Sequence, residues 1–396
     1  MASASHPDVD AQEIIARAAD IASRLTARGA EAEKAGQLPQ ETIGEVLAAG
    51  IMRLAVPARY GGLELPFPAI PQVTRMLGRG CLATSWTIGI LVQHNFQLGY
   101  WPQKAQDEFW AKGPNQFAPG YIVPAGTARK VDGGWRLSGM WRMGSGFPHG
   151  DWILLGSFEV EDGNKGALRR FALPIGDCHG INNWSVSGLA ATGTWDCALD
   201  DVFVPDHRTF PSAGLLDGSA PGAAINTAPL WRIPLLSFYY PNMSAMMLGA
   251  AEGVAALVTD KIKGRVLSYG GAKAADLGYA QARVGAAHAK LNAAAALLQA
   301  ESDRVWQTAL SGRPFEMRER AAVRANCTWI AKLSREVASD LIEFSGTGSF
   351  HLDSPLQRFH REINVLASHA FYDADRMNSV YGQVLLGQTA PPGELV

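Results

Sequence analysis

The chain has 396 residues, of which 47% are hydrophobic, enough for a full core and for two or three domains or one composite unit. Its formal net charge of -2 gives no electrostatic case for a nucleic acid or an anionic membrane as partner. Four cysteines (81, 178, 197 and 327) form no C-x-x-C pair, and the nine scattered histidines form no H-x-x-x-H pair, so neither a disulfide scaffold nor a metal centre is expected.

The N-terminal stretch MASASHPDVDAQEII lacks a basic segment followed by an apolar run, so no secretory signal is read there. No stretch approaches the ~20 apolar residues of a membrane span. The expected setting is the reducing cytoplasm. Ile14, Ile15, Ala18, Ile21, Ala22 and Leu25 recur at helical spacing and predict a helix over 10–35. A second is predicted over 40–49, stopped by Gly50. VPARYGGLEL (56–65) reads as a loop, and helical signals return from Pro66 to about Lys112.

The texture changes near Pro114. GGWRLSGMWRM, DWILLGSFEV, RRFALPI and CALDDVFVP each alternate as strands do, and Asp132-Gly133-Gly134 reads as a hairpin turn. Residues 212–230 are rich in Gly, Pro and Ala and read as a linker or surface loop. Helical periodicity then resumes over 243–262, 280–306 and 317–344, Ala-rich helices that suit an antiparallel bundle. The expected class is α+β, mainly α. An N-terminal helical domain (1–114) is followed by a β-barrel or sandwich domain (115–212) and a C-terminal four-helix bundle (213–396).

Several side chains invite chemistry. His369 falls where a helical pattern breaks, and imidazole titrates near neutral pH, so it either moves protons or is satisfied by a backbone carbonyl at a helix end. His94 lies in an apolar helical run, the usual setting of a core histidine, with Asn95 and Gln97 placed to orient it or line a pocket. Ser145 stands between Gly144 and Gly146, where its hydroxyl suits a hydrogen bond to a flat ring that the glycines let approach. The plain alternative is a β-turn. Trp231, Phe238 and Tyr239 form an aromatic stretch equally suited to a substrate pocket or a core. No G-x-G-x-x-G follows a strand, so no NAD(P)H site is read.

Taken in order, VPARYGGLEL, GLAATGTWDCALDDVFVPDHR (188–208) and GTGSFHLDSPLQRFHREI (346–363) resemble the acyl-CoA dehydrogenase superfamily across nearly the whole chain. The glutamate that dehydrogenases use as base has no counterpart in ASHAFYDADR. LVQHNFQLGYWPQKAQDEFW (91–110), WRMGSGFPHGDW (141–152), the histidine after LQRFHRE and YGQVLLG (381–387) resemble a branch of the same fold. That branch comprises the oxygenase components of two-component flavin monooxygenases. The resemblance implies reduced FMN, with FAD as the alternative, supplied by a separate NAD(P)H-flavin reductase. It also implies O2, a C4a-hydroperoxyflavin, a small aromatic substrate of the phenol, indole or thiophene type, and a homotetramer.

It assigns catalysis to His369, His94 and Ser145. Cofactor contacts fall to Trp141, Ser145, Gly146 and Thr192, with Gly193 and Thr194 beside it. Arg265 is placed on flavin phosphates, and the Gly346-Thr347-Gly348 turn on a neighbouring subunit's cofactor. Asn95, Phe238 and Tyr239 are the expected substrate contacts, His149 a weaker candidate, and no metal is expected. Arg358 and Arg361 are expected to pair with Asp353 or Glu362, and Asp373 or Asp375 to tune His369. Two rivals remain: a dehydrogenase or oxidase holding FAD, with a displaced base at Glu252, and a non-catalytic assembly protein.

Overall fold

The computed structural model describes residues 10–217, 219–267 and 270–389. The N-terminal helices are α1 (Ala11–Ala35), α2 (Gln40–Ala48), α3 (Ala69–Gly80), α4 (Leu82–Leu98) and α5 (Gln103–Phe109). Asp10 caps α1 by accepting from the Gln12 amide, and Gly36 ends it in the left-handed conformation. Every residue of α4 is buried, as befits a helix with no polar stripe.

One mixed seven-stranded sheet follows: β1 (Thr127–Val131), β2 (Gly134–Gly144), β3 (Trp152–Glu161), β4 (Asn164–Pro174), β5 (His179–Ile181), β6 (Trp195–Pro205) and β7 (Thr209–Pro211). Its order is β5-β6-β2-β1-β3-β4-β7, antiparallel except for β1 beside β3. The β1–β2 hairpin closes through Asp132-Gly133, with Gly133 at φ 72°. β2 and β4 lie three positions apart, about 14 Å in a flat sheet. Yet Trp135 of β2 and Phe171 of β4 meet edge to face with centroids 6.2 Å apart, so the sheet curls around its own apolar core.

Residues 212–230 are not structureless. They hold the short α6 (Gly214–Asp217) and two 3-10 turns. α7 (Leu235–Gly264) starts two turns before the expected residue 243 and carries Pro241 inside it. Its first turns are buried, and that packing outweighs the backbone bond the proline removes. α8 (Gly278–Ser311), α9 (Met317–Phe344), α10 (Pro355–Leu366) and α11 (Ala374–Leu385) complete the chain. α9 opens with a Glu316/Glu319 capping box.

A single hydrophobic cluster runs from α1–α5 into α7–α11. Glycines set a close crossing in it: a Cβ on Gly249 or Gly253 of α7 would lie 2.1 or 2.3 Å from the Arg75 or Arg79 carbonyl oxygen of α3. Only glycine allows backbones that close. Arg358 and Arg361 of α10 tie this cluster to α1 rather than pairing with Asp353 or Glu362. Arg358 donates to the Thr26 carbonyl at 2.9 Å, and Arg361 forms a two-pronged pair with Glu33. Among the described residues no helix is long and apolar enough to cross a membrane.

Candidate active site

α4, the curled sheet, the start of α7 and the end of α10 converge on a cavity of about 330 Å³, within the range of small-molecule sites. Trp86, Ile90 and His94 recur every fourth residue of α4 and share one wall. Tyr239 and Met243 of α7 form a second wall, and Leu366, His369 and Phe371 a third. The sheet side supplies Arg142, Met143, Ser145, Thr192 and Thr194. No Asp or Glu lines the cavity among the described residues, and no metal-ligand cluster occurs among them.

The two histidines are held in opposite senses. His94 is 4% exposed, and its Nδ1 lies 2.7 Å from the Ala118 carbonyl oxygen. A carbonyl only accepts, so Nδ1 carries the proton and Nε2 is left as an acceptor. Burial lowers its pKa to about 4, outweighing that hydrogen bond. His369 caps the 3-10 turn Ala370–Tyr372, its Nδ1 accepting from the Phe371 amide at 3.3 Å. Its proton therefore sits on Nε2, which can only donate. Burial lowers this pKa to about 4 as well. The His369 ring packs edge-on to Trp86 and stacks on Phe371.

Ser145 belongs to a directed hydroxyl chain. Trp86 Nε1 donates to Ser145 Oγ at 3.0 Å, and Ser145 Oγ lies 2.8 Å from Thr194 Oγ1. Thr194 lies 2.7 Å from Thr192 Oγ1, which donates to the Leu189 carbonyl at 2.8 Å. Because Thr192 spends its proton on Leu189, it accepts from Thr194, and Thr194 then accepts from Ser145. Ser145 thus keeps a lone pair facing the cavity rather than a proton.

Six expected residues meet here: His94, Ser145, Thr192, Thr194, Tyr239 and His369. The others do not line the cavity. Trp141 is fully buried in the sheet's core, its indole donating to the Gly156 carbonyl at 2.8 Å. Asn95 lies about 100° round α4 from His94 and donates to the Met52 carbonyl at 3.0 Å. Phe238 stacks on Phe96 with centroids 3.9 Å apart, deep in the helical core. Gly144 and Gly146 lie outside the cavity lining, at a close packing contact and a turn. A Cβ on Gly144 would strike Tyr121, and Gly146 sits at φ 80° against Leu91. Burial lowers the His149 pKa, but its ring does not line the cavity. Asp373 caps α11, accepting from the Arg376 amide at 3.0 Å.

Arg265, Gly346, Thr347 and Gly348 form a separate cluster. The Arg265 guanidinium donates to the carbonyls of Phe344 and Ser345 at the end of α9, and Lys261 donates to Ser349 at 2.6 Å. Tyr239 and Arg265 are 26 residues apart along α7, roughly 39 Å at 1.5 Å per residue. No small molecule in the cavity of the same chain spans that distance. Glu252 is likewise remote, with its carboxylate on Arg75 and Arg79 and its side chain 13% exposed. It is a paired structural carboxylate, not a free base.

Sequence reasoning missed Trp86 and Gly120. Trp86 had a signal, standing eight residues before His94 on one helix face. Gly120 had none, because only the fold brings its loop against the His94 ring.

Residues 9–111 match the acyl-CoA dehydrogenase N-terminal domain, and residues 242–374 the acyl-CoA dehydrogenase C-terminal domain. The chain is 30% identical to a pigment production hydroxylase of Rhodococcus sp. (strain ATCC 21145), covering 96% of this chain and 97% of that protein. It is also 30% identical to the flavin-dependent monooxygenase oxygenase subunit HsaA of Mycobacterium tuberculosis (strain ATCC 25618 / H37Rv), covering 97% and 98%. Among solved structures, XiaF from Streptomyces sp. in complex with FADH2 and glycerol superposes with a TM-score of 0.89. That pair is 25% identical over 96% of each chain.

Proposed function

This chain belongs to the flavin-dependent monooxygenases that share the acyl-CoA dehydrogenase fold, and we propose that it oxygenates an electron-rich aromatic or heteroaromatic molecule of the phenol, indole or thiophene type. The observation that carries this reading is the pair of neutral histidines. One presents an acceptor and the other a donor into a cavity walled by Trp86, Tyr239 and Phe371 and free of carboxylates.

The donor set fits a flavin. The cavity offers flat aromatic walls for a tricyclic ring, and the outward lone pair of Ser145 suits the N–H that reduced flavin carries at N5. Reduced FMN, or FAD in its place, supplies the electrons that activate O2. Ser145, held by Trp86 and Thr194, fixes the ring; Thr192 completes the hydroxyl chain behind it. His369 Nε2–H donates to the oxygen to be transferred. His94 Nε2 accepts the proton of a substrate hydroxyl or ring N–H, and Tyr239 packs against it with ring centroids 6.5 Å apart. A fixed donor and a fixed acceptor are what general acid–base work needs of two side chains of the same type. The apolar walls exclude water, which otherwise drains the activated oxygen as peroxide.

The remaining features fit a tetrameric two-component enzyme. The Arg265 and Gly346–Gly348 cluster lies too far from its own chain's cavity, so it serves the flavin of a neighbouring copy. The largely exposed, Ala-rich α8 supplies a face for that copy. The electrons come from NAD(P)H through a separate reductase in the cytoplasm, where Cys81, Cys178, Cys197 and Cys327 remain free thiols.

The test is turnover under isotopically labelled O2 with a generic flavin reductase and a panel of phenols, indoles and aromatic thioethers. One labelled oxygen atom in a product is expected. No labelled product, together with bleaching of bound flavin by an acyl-CoA thioester, would overturn the reading.

A further inference from the structure

Ser145 reaches the cavity because β2 is irregular next to it. Side chains of a strand alternate between faces, so with Trp141 in the sheet's core, Met143 and Ser145 would point into the same core. They do not. Between Trp141 and Gly144 the pairing with β6 slips: Trp141 faces Cys197 and Gly144 faces Trp195, three steps on one strand against two on the other. The extra residue is a β-bulge. It returns Gly144 to the core side, against Tyr121, and sends Met143 and Ser145 to the cavity.

The bulge has a cost and a holder. Met143 sits at φ 66°, a left-handed conformation that side chains with a Cβ rarely adopt. A bulge also takes an amide out of the ladder. Here the Met143 N–H donates to Asp196 Oδ1 at 3.0 Å. Asp196 is 6% exposed and lies on β6; its other oxygen accepts from Asn183 Nδ2 at 2.8 Å. The sheet thus buries a carboxylate whose two oxygens are spent on holding one strained residue and one loop.

We propose that Asp196 is a positioning residue of the active site: it holds the Met143 bulge, and through it aims the Ser145 hydroxyl at the bound flavin. This rests on the flavin reading of the cavity. Asp196 touches neither substrate nor cofactor, and it acts through the backbone of residues 143–145.

The test is anaerobic titration of reduced FMN, read by fluorescence, into the full chain and its variants, with thermal unfolding measured in parallel. Asp196→Ala is expected to weaken FMN about tenfold, the scale of one lost hydrogen bond to a charged group. In a Ser145→Ala background the same change is expected to cost less than twofold, because there is no hydroxyl left to aim. Met143→Gly takes the left-handed turn without strain. Added to Asp196→Ala, it is expected to restore both folding and affinity. Equal losses in both backgrounds, an Asp196→Ala chain that binds FMN normally, or no rescue by Met143→Gly would each overturn the proposal. A wild-type chain that fails to bind reduced FMN would overturn the flavin reading and this inference together.

Discussion

Gly120→Ala tests whether the His94 ring is held in place. A Cβ at residue 120 would lie 2.8 Å from His94 Cε1, 2.9 Å from Nε2 and 3.2 Å from Nδ1. Carbon–carbon contacts settle near 3.5–4 Å, so the overlap is roughly 0.7 Å. The ring has little freedom to yield, being buried and tied by Nδ1 to the Ala118 carbonyl in the same loop. If the ring turns, a buried N–H loses its partner, which costs about 1–3 kcal/mol; if the loop moves instead, overpacking costs about the same. Either way Nε2 leaves the position from which it is proposed to take the substrate's proton. The variant is expected to melt several degrees lower and to lose at least about tenfold in kcat/KM, with reduced-FMN affinity little changed. Gly382→Ala in α11 is the control, since a Cβ there meets nothing within 4 Å; it is expected to melt at or slightly above the wild-type temperature. A Gly120→Ala chain with wild-type melting and turnover would refute the argument.

Four further outcomes follow from the same geometry. The folded pKa of His94, about 4, lies below its ordinary 6.5, so the unfolded chain binds the extra proton between those values. Stability is therefore expected to fall as pH drops from 6.5 to 4, by about 3 kcal/mol for this residue; His369 shifts the same way, so His94→Gln should remove about half of the histidine-driven fall in denaturant titrations. Burial raises Glu362 to about 7 from 4.5, so its contribution has the opposite sign, with stability declining as pH rises through 4.5–7; Glu362→Gln should remove that slope. Trp86→Phe keeps the wall but removes the N–H to Ser145, and more reducing equivalents should appear as hydrogen peroxide at unchanged substrate affinity. Glu252→Gln should lower the melting temperature by weakening its pairs with Arg75 and Arg79, yet leave product yield per reduced flavin unaltered; abolished turnover would revive a carboxylate-based mechanism.

The helical periods and the strand alternation were legible because each reports a face meeting a core. The prediction over 317–344 matches α9 residue for residue. The start of α7 was not, because Pro241 reads as a breaker until burial of the preceding turns outweighs it. In the site, His94, Ser145 and His369 were legible as unusual polar groups in telling local settings. Trp141 was misplaced because one bulge at residues 142–143 reverses strand parity, and no alternation pattern announces it. Asn95 and Phe238 were adjacent in sequence to true lining residues, but on a helix the next residue points about 100° away. Gly120 and Asp196 act through contacts between segments distant in sequence, which only the fold supplies.

The most direct test of the central claim is to mix the protein with reduced FMN without oxygen, then mix rapidly with O2 while following flavin absorbance. A delay between oxygen consumption and the return of oxidised flavin is expected, shortened in Ser145→Ala and His369→Ala and accompanied by oxygenated product when an aromatic substrate is present. Return of oxidised flavin at the rate of free FMN, with all reducing equivalents recovered as hydrogen peroxide, would contradict it.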